Sequence, residues 1–326
     1  GGNAVDAAVT AALVQGAVDP QMCGIAGFGN CQLLLPDQDI HTCIDFHGKT
    51  PLAASPIMWE DLIISETRDG FGFVLRDNVN DLGYQSVTTP GSLKAYYEAL
   101  ENFGTWDWSD VVAPAIKHAE QGFIVRPHVA FWWNYGANYG RVGVDERLKY
   151  SKTGAESYFD SSGNLKKIGD KVKISGMAET LKKIANYGID IFYKGEIAEK
   201  ISEDMKKNGG LLSYEDLSTY STKWTDPLVG KYRDFGISTN HPPGGGIMLL
   251  EMLNILENFN LSKLGHNSTE YIRVVCEAMK QATVDKESFV GDPDFVNVPI
   301  RRLLSKKHAR QCSKHILSGQ KINIDR

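Results

Sequence analysis

Residues 4–18 are apolar nearly all round and rich in alanine. That pattern predicts a helix buried on most sides and packed closely through small side chains. Asn3 and Asp6, three residues apart, form its N-terminal capping pair. A short apolar run at 31–35 is followed by Pro36-Asp37-Gln38-Asp39, a turn composition. From 40 to 46 the chain alternates, with Ile40, Thr42, Ile44 and Phe46 on one side and His41, Cys43, Asp45 and His47 on the other. The two runs predict a β-hairpin. Helical patterns follow at 93–102, 109–120 (stopped by Gly122), 177–187, 195–207 (ended by Gly209-Gly210) and 247–259. Asn267 and Glu270 form a second capping pair, opening a helix to about residue 284. Residues 232–239 read as one strand. The stretch 131–175 is polar, Tyr-rich and weakly periodic, and reads as a surface excursion; the last forty residues read as one short helix and a polar tail. With no repeat and no clean linker, helices interleaved with a few strands predict one α/β or α+β domain over residues 1–326.

Composition narrows the classes. The chain is 42% hydrophobic and 23% charged, with net charge −5, which is ordinary for a globular protein. No basic stripe interleaved with aromatics is present, which argues against nucleic acid. The largest basic cluster, Arg301, Arg302, Lys306 and Lys307, reads as a solvated helix face. Five scattered cysteines form no CxxC pair, so zinc is not suggested; with no phosphate or metal motif that holds up, no metal or cofactor is expected. Reduced thiols favour a cytoplasmic setting. The opening reads as cut from a longer chain, which keeps a periplasmic or secreted setting open. No apolar run is long enough to span a bilayer, so no membrane partner is expected.

Three local patterns need weighing. The glycine-rich loop 23–29 lies after a helix and before a strand, the reverse of a dinucleotide fingerprint. It reads either as a tight buried turn or as a place where backbone amides approach a substrate. Gly291-Asp292-Pro293-Asp294 lacks the further oxygens of a calcium loop and reads as a turn with an Asx cap. His118, His128, His266, His308 and His315 have no recognisable serine or cysteine partner and read as surface or cap residues.

Ten blocks occur in a familiar order. They are GGNAVDAAVTAAL at 1–13, the IDF…TP strand and exit at 44–51, TPGSL at 89–93, FGTWDW at 103–108 with PAIKHAEQGF at 114–123, and FYKGEIAEKI at 192–201. NGGLLSYEDLSTY at 208–220, PPGGGIMLLEMLNILENF at 242–259, GHNSTEY at 265–271, EAMKQATVD at 277–285 and GDPDFVNVP at 291–299 complete the set. Together they resemble the γ-glutamyltranspeptidase family of N-terminal-nucleophile hydrolases. The resemblance implies an α+β, four-layer α-β-β-α sandwich, of which this chain is the large-subunit portion. It implies a precursor that cuts itself before a threonine, and the chain's end at Ile322 to Arg326 matches the family's cleavage point. The threonine then heads a separate small subunit, so no catalytic residue is expected in this chain. A hydroxyl with its own α-amine as base is a sound nucleophile. The implied partners are that small subunit and a small-molecule amide, with a dimer of heterodimers compatible with the reading.

One departure matters. The family's DFRE-x-AP segment carries an arginine that clamps the donor α-carboxylate through a planar two-bond fork. Here the segment reads Asp45-Phe46-His47-Gly48-Lys49-Thr50-Pro51. Histidine lacks the fork and carries a pH-dependent charge. Charge-assisted bonds contribute about 1.5–3 kcal/mol each, so losing the clamp weakens glutamyl binding by about two to four powers of ten. Lys49, on the same face of an extended strand, could restore part of the charge. Gly244 and Gly245 stand where the family usually has serines, and form either a wall of the acyl pocket or a connection needing unusual backbone angles. The expected substrate-binding set is therefore His47, Lys49, Gly244 and Gly245. The favoured reading is an amide hydrolase or acyl transferase with altered acyl specificity. The alternatives are a γ-glutamyl hydrolase or transferase acting on glutathione-like amides, and a non-catalytic scaffold.

Overall fold

The computed structural model describes residues 1–20, 23–67, 72–138 and 140–324. Asp325 and Arg326, at the expected cleavage end, and Tyr139, within the expected surface excursion, lie outside the described residues. Contacts gather into two compact units. The first comprises Gly1–Gly29 and Phe46–Thr222, and the second Asn30–Asp45 and Lys223–Arg326.

In the first unit the helix Ala4–Val18 packs on Trp108–Gln121, which packs in turn on Met177–Tyr187. Leu13, Val111, Val112, Ala115, Leu181 and Ile184 are fully buried there. Small residues let the backbones close up: a Cβ on Gly16 would meet Gly24 Cα at 3.3 Å. This is the tight-turn reading of the glycine-rich loop. Asn3 and Asp6 form the expected capping box, and Asp6 does more than cap. It accepts from Thr105 N at 2.8 Å, Thr105 Oγ1 at 2.6 Å and Trp106 N at 3.1 Å, clamping the helix start to the loop before Trp108. The helix is not buried on most sides as its composition suggested. Ala4, Ala7, Ala8 and Ala11 form an exposed apolar stripe at helical spacing.

The stretch 131–175 is no mere surface excursion. It holds Val144–Lys149, Lys152–Tyr158 and the end of Pro127–Trp133, and its strand Lys171–Val172 pairs with Phe123–Ile124 just before it. Trp133 and Val172 are fully buried in a cluster with Phe123, Val125 and Val129. Helices this short carry too few turns for periodicity to show.

In the second unit the hairpin Gly29–Leu35 and Ile40–Phe46 is extended by Lys223–Thr225, with Ile40–Phe46 in the centre. Residues 232–239 are not one strand: Leu228–Tyr232 and Phe235–Thr239 pair antiparallel about a turn in which Arg233 has φ 54°. The helix Gly246–Leu256 packs on this hairpin and on Thr269–Phe289 and Lys306–Leu317. The cap of the second of these is Ser268, which accepts from Tyr271 N. Asn267, the expected cap, takes φ 56° one residue earlier. Asp292 Oδ1 accepts from Asp294 N at 2.9 Å, the Asx turn anticipated. No helix among the described residues is long and apolar enough to cross a membrane.

Candidate acyl-binding site

The strip that leaves the hairpin strand is held almost entirely through its backbone. Tyr220 Oη donates to His47 O at 2.9 Å. Lys49 and Thr89 exchange backbone bonds, Lys49 N to Thr89 O at 3.2 Å and Thr89 N to Lys49 O at 2.8 Å. Leu52 N donates to Asp216 Oδ1 at 2.7 Å, and the same carboxylate closes a capping box with Ser213. The facing turn is equally fixed. Gly27 O accepts from Gly91 N at 2.9 Å and Ser92 N at 3.1 Å, and Tyr193 Oη donates to Pro90 O at 3.0 Å. Burial pushes the Tyr193 phenol well above its ordinary pKa, so it stays a neutral donor. Tyr193 stacks on Tyr220 with ring centroids 5.9 Å apart.

One glycine in this strip and one in the facing turn answer to close approach. A Cβ on Gly48 would lie 2.8 Å from Thr88 Cβ, so the acidic residue of the family pattern has no room here. A Cβ on Gly91 would lie 2.6 Å from Phe46 O.

The side chains of the expected site sort by unit. His47 and Lys49 belong to the first, Gly244 and Gly245 to the second. The His47 ring lies 6.3 Å from that of Phe28, which is 65% exposed. Lys49 Nζ sits 5.1 Å above the Tyr220 ring and donates to Ser221 Oγ at 3.2 Å. The two basic side chains thus engage different aromatic rings. In the second unit, neither Gly244 nor Gly245 has a positive φ, so unusual backbone angles do not explain them. Gly244 is explained by contact instead, since a Cβ there would stand 2.6 Å from Asn240 Cγ. Gly245 faces open space, with φ −74° and ψ 0° at the cap of Gly246–Leu256.

The γ-glutamyltranspeptidase family model matches residues 1–324. The chain belongs to that family. It is 36% identical over 323 residues to the glutathione hydrolase proenzyme of Escherichia coli K12, covering 97% of this chain and 52% of that protein. It is 35% identical over 312 residues to the acylase ACY 1 proenzyme of Pseudomonas sp. SE83, covering 95% of this chain and 53% of that one. It superposes on the Helicobacter pylori γ-glutamyltranspeptidase crystal structure with TM-score 0.86 at 32% identity, covering 100% of this chain and 87% of that chain. The fold is thus the N-terminal-nucleophile hydrolase fold of this γ-glutamyltranspeptidase family, as the resemblance implied. The chain spans about half the length of the curated relatives it matches.

One cluster escaped the sequence reading. His308, expected at the surface or in a cap, has its backbone N–H capped by Ser305 but turns its ring inward, with the side chain only 18% exposed. There it meets Glu251, Asp285 and Cys312, all buried. Hydrogen bonding of its ring with Asp285, Cys312 and Glu251 raises the His308 pKa. Burial raises that of Glu251, while at Asp285 burial is outweighed by hydrogen bonds led by His308. The available signal was His308-x-x-x-Cys312, which puts both side chains on one helix face.

Proposed function

We propose that this chain is the large-subunit part of an amide hydrolase or acyl transferase whose acyl preference has moved away from γ-glutamyl groups. The nucleophile is an N-terminal threonine of a small subunit cut from the same precursor. The proenzyme names of the E. coli and Pseudomonas relatives support such processing. The exposed Ala4, Ala7, Ala8 and Ala11 stripe supplies an apolar face that a companion chain would cover.

The observation that carries the altered preference is His47. It stands where the carboxylate-clamping arginine is expected, on a backbone pinned by Tyr220 and Thr89, with its ring beside exposed Phe28. A pinned backbone leaves no slack for a neighbouring residue to take over the arginine's geometry. Lys49 contributes a point charge but no fork, and its amine is already over Tyr220 and bonded to Ser221. A flanking aromatic suits an acyl group with an apolar body. The acylase-named relative of similar identity shows that the family includes acylases beside glutathione hydrolases.

The test is an assay of the processed heterodimer with a γ-glutamyl anilide and with amides of simple and aromatic acids. The expected result is a higher kcat/KM for one of the non-glutamyl amides. Efficient turnover of the glutamyl anilide, with the others slower, would return the enzyme to the γ-glutamyl class.

A further inference from the structure

The Glu251–Asp285–His308–Cys312 cluster is built from three helices of the second unit. Gly246–Leu256 supplies Glu251, Thr269–Phe289 supplies Asp285, and Lys306–Leu317 supplies His308 and Cys312. Glu251 is 1% exposed, Asp285 6% and Cys312 6%.

All three partners converge on a single atom. His308 Nε2 lies 2.9 Å from Glu251 Oε1, 3.1 Å from Asp285 Oδ2 and 3.6 Å from Cys312 Sγ. An imidazole nitrogen carries at most one hydrogen, so it cannot donate to all of them. A cation held among Asp285, His308 and Cys312 satisfies these three together. One ligand atom each of Asp285, His308 and Cys312 lies within 4.8 Å of the others. With metal–ligand bonds of about 2.0 Å to N and O and about 2.3 Å to S, tetrahedral geometry sets ligand spacings of roughly 3.3–3.5 Å. The observed spacings at Nε2 bracket that range. Gln281 Nε2 donates to Asp285 Oδ2 at 2.7 Å, an outer contact of the kind that orients a ligating carboxylate.

We propose that Asp285, His308 and Cys312 form a structural site for a divalent transition metal of the zinc type, with Glu251 beside them as an outer contact. The mixed imidazole, thiolate and carboxylate set suits zinc or cobalt and disfavours the all-oxygen preferences of calcium and magnesium. The three ligands come from Thr269–Phe289 and Lys306–Leu317, so the metal ties these two helices together. Binding displaces the thiol proton of Cys312 and the Nε2 proton of His308, which pass to solvent as the metal–sulfur and metal–nitrogen bonds form.

The test uses the processed heterodimer, stripped with a chelator and titrated with Zn²⁺ and Co²⁺. The expected result is one equivalent bound, proton release, and a cobalt spectrum with tetrahedral visible bands and a thiolate charge-transfer band. Cys312→Ser should abolish the charge-transfer band and weaken binding more than about 100-fold, beyond the loss typical of an outer-shell contact. Asp285→Asn, read in the same way, guards against a folding defect in the first variant. Cys276→Ser, at an exposed thiol, should leave the spectrum unchanged. Absence of stoichiometric binding by the unmodified enzyme would overturn the proposal and leave a proton-bridged polar cluster. So would a thiolate band that persists in Cys312→Ser.

Discussion

Two buried carboxylate sites in this chain are satisfied in opposite ways. In the first unit, Asp6 accepts from the backbone N–H groups of Asn3, Thr105 and Trp106 and from the Thr105 hydroxyl. In the second, the hydrogen bonds of Asp285 and Glu251 come from side chains: His308, Gln281 and each other. Backbone donors cannot leave without unfolding the turn that presents them, so Asp6 is a fixed joint. Side-chain partners can give up a proton and accept a metal, so the second cluster is a site. The His47 strip contains the same contrast in miniature. Its backbone is fastened to Tyr220 and Thr89, while its side chain meets an exposed ring.

The fixed joint should be the most costly to break. Asp6→Ala leaves four donors without their acceptor, and we expect a loss of about 3 kcal/mol or more in urea unfolding. The pH dependence follows. Burial alone would raise the Asp6 pKa, but the bonds from Thr105, Asn3 and Trp106 outweigh it and hold it at about 2, against an ordinary 3.8. A depressed carboxylate stabilises the fold above its unfolded pKa. That contribution is therefore present near neutrality and fades as pH falls from about 4 through about 2. Stability measured across that window should fall more steeply in the parent than in Asp6→Ala.

The exchangeable cluster should be softer. Asp285→Asn, measured without metal, should cost about 2 kcal/mol, since the amide oxygen can still accept one of the bonds now made to Asp285. A cost equal to that at Asp6 would erase the distinction.

The first of these joints was legible in the sequence and the second was not, for a physical reason. A capping box is local, so Asn3 and Asp6 show it at a glance. Its reach to Thr105 and Trp106, about a hundred residues on, does not show. His308 and Cys312 are four apart, but Glu251 and Asp285 come from other helices, 57 and 23 residues away from His308. The long helices were readable because their apolar stripes span several turns. The hairpin at 228–239 was missed because Arg233 takes the left-handed conformation without the glycine or asparagine that usually announces it. At the acyl site, the substitution of His47 was visible. The Thr88 contact that requires Gly48 emerged only from the fold.

Smaller effects probe the strip itself. Gly48→Ala should cost about 1–2 kcal/mol as Thr88 is displaced, and should raise KM for the preferred amide. Tyr220→Phe removes the bond to His47 O and should cost about 1 kcal/mol, again with the larger change in KM than in kcat. If either change left KM untouched, the fastened backbone would not be what places His47.

The most direct measurement is the ratio of kcat/KM for a γ-glutamyl anilide to that for the preferred simple amide, in the parent enzyme and in His47→Arg. Restoring the planar fork should raise this ratio at least about tenfold, a conservative share of the two to four powers of ten a two-bond clamp can contribute. An unchanged ratio, or a parent enzyme already favouring the glutamyl anilide, would contradict the assignment of acyl choice to residue 47.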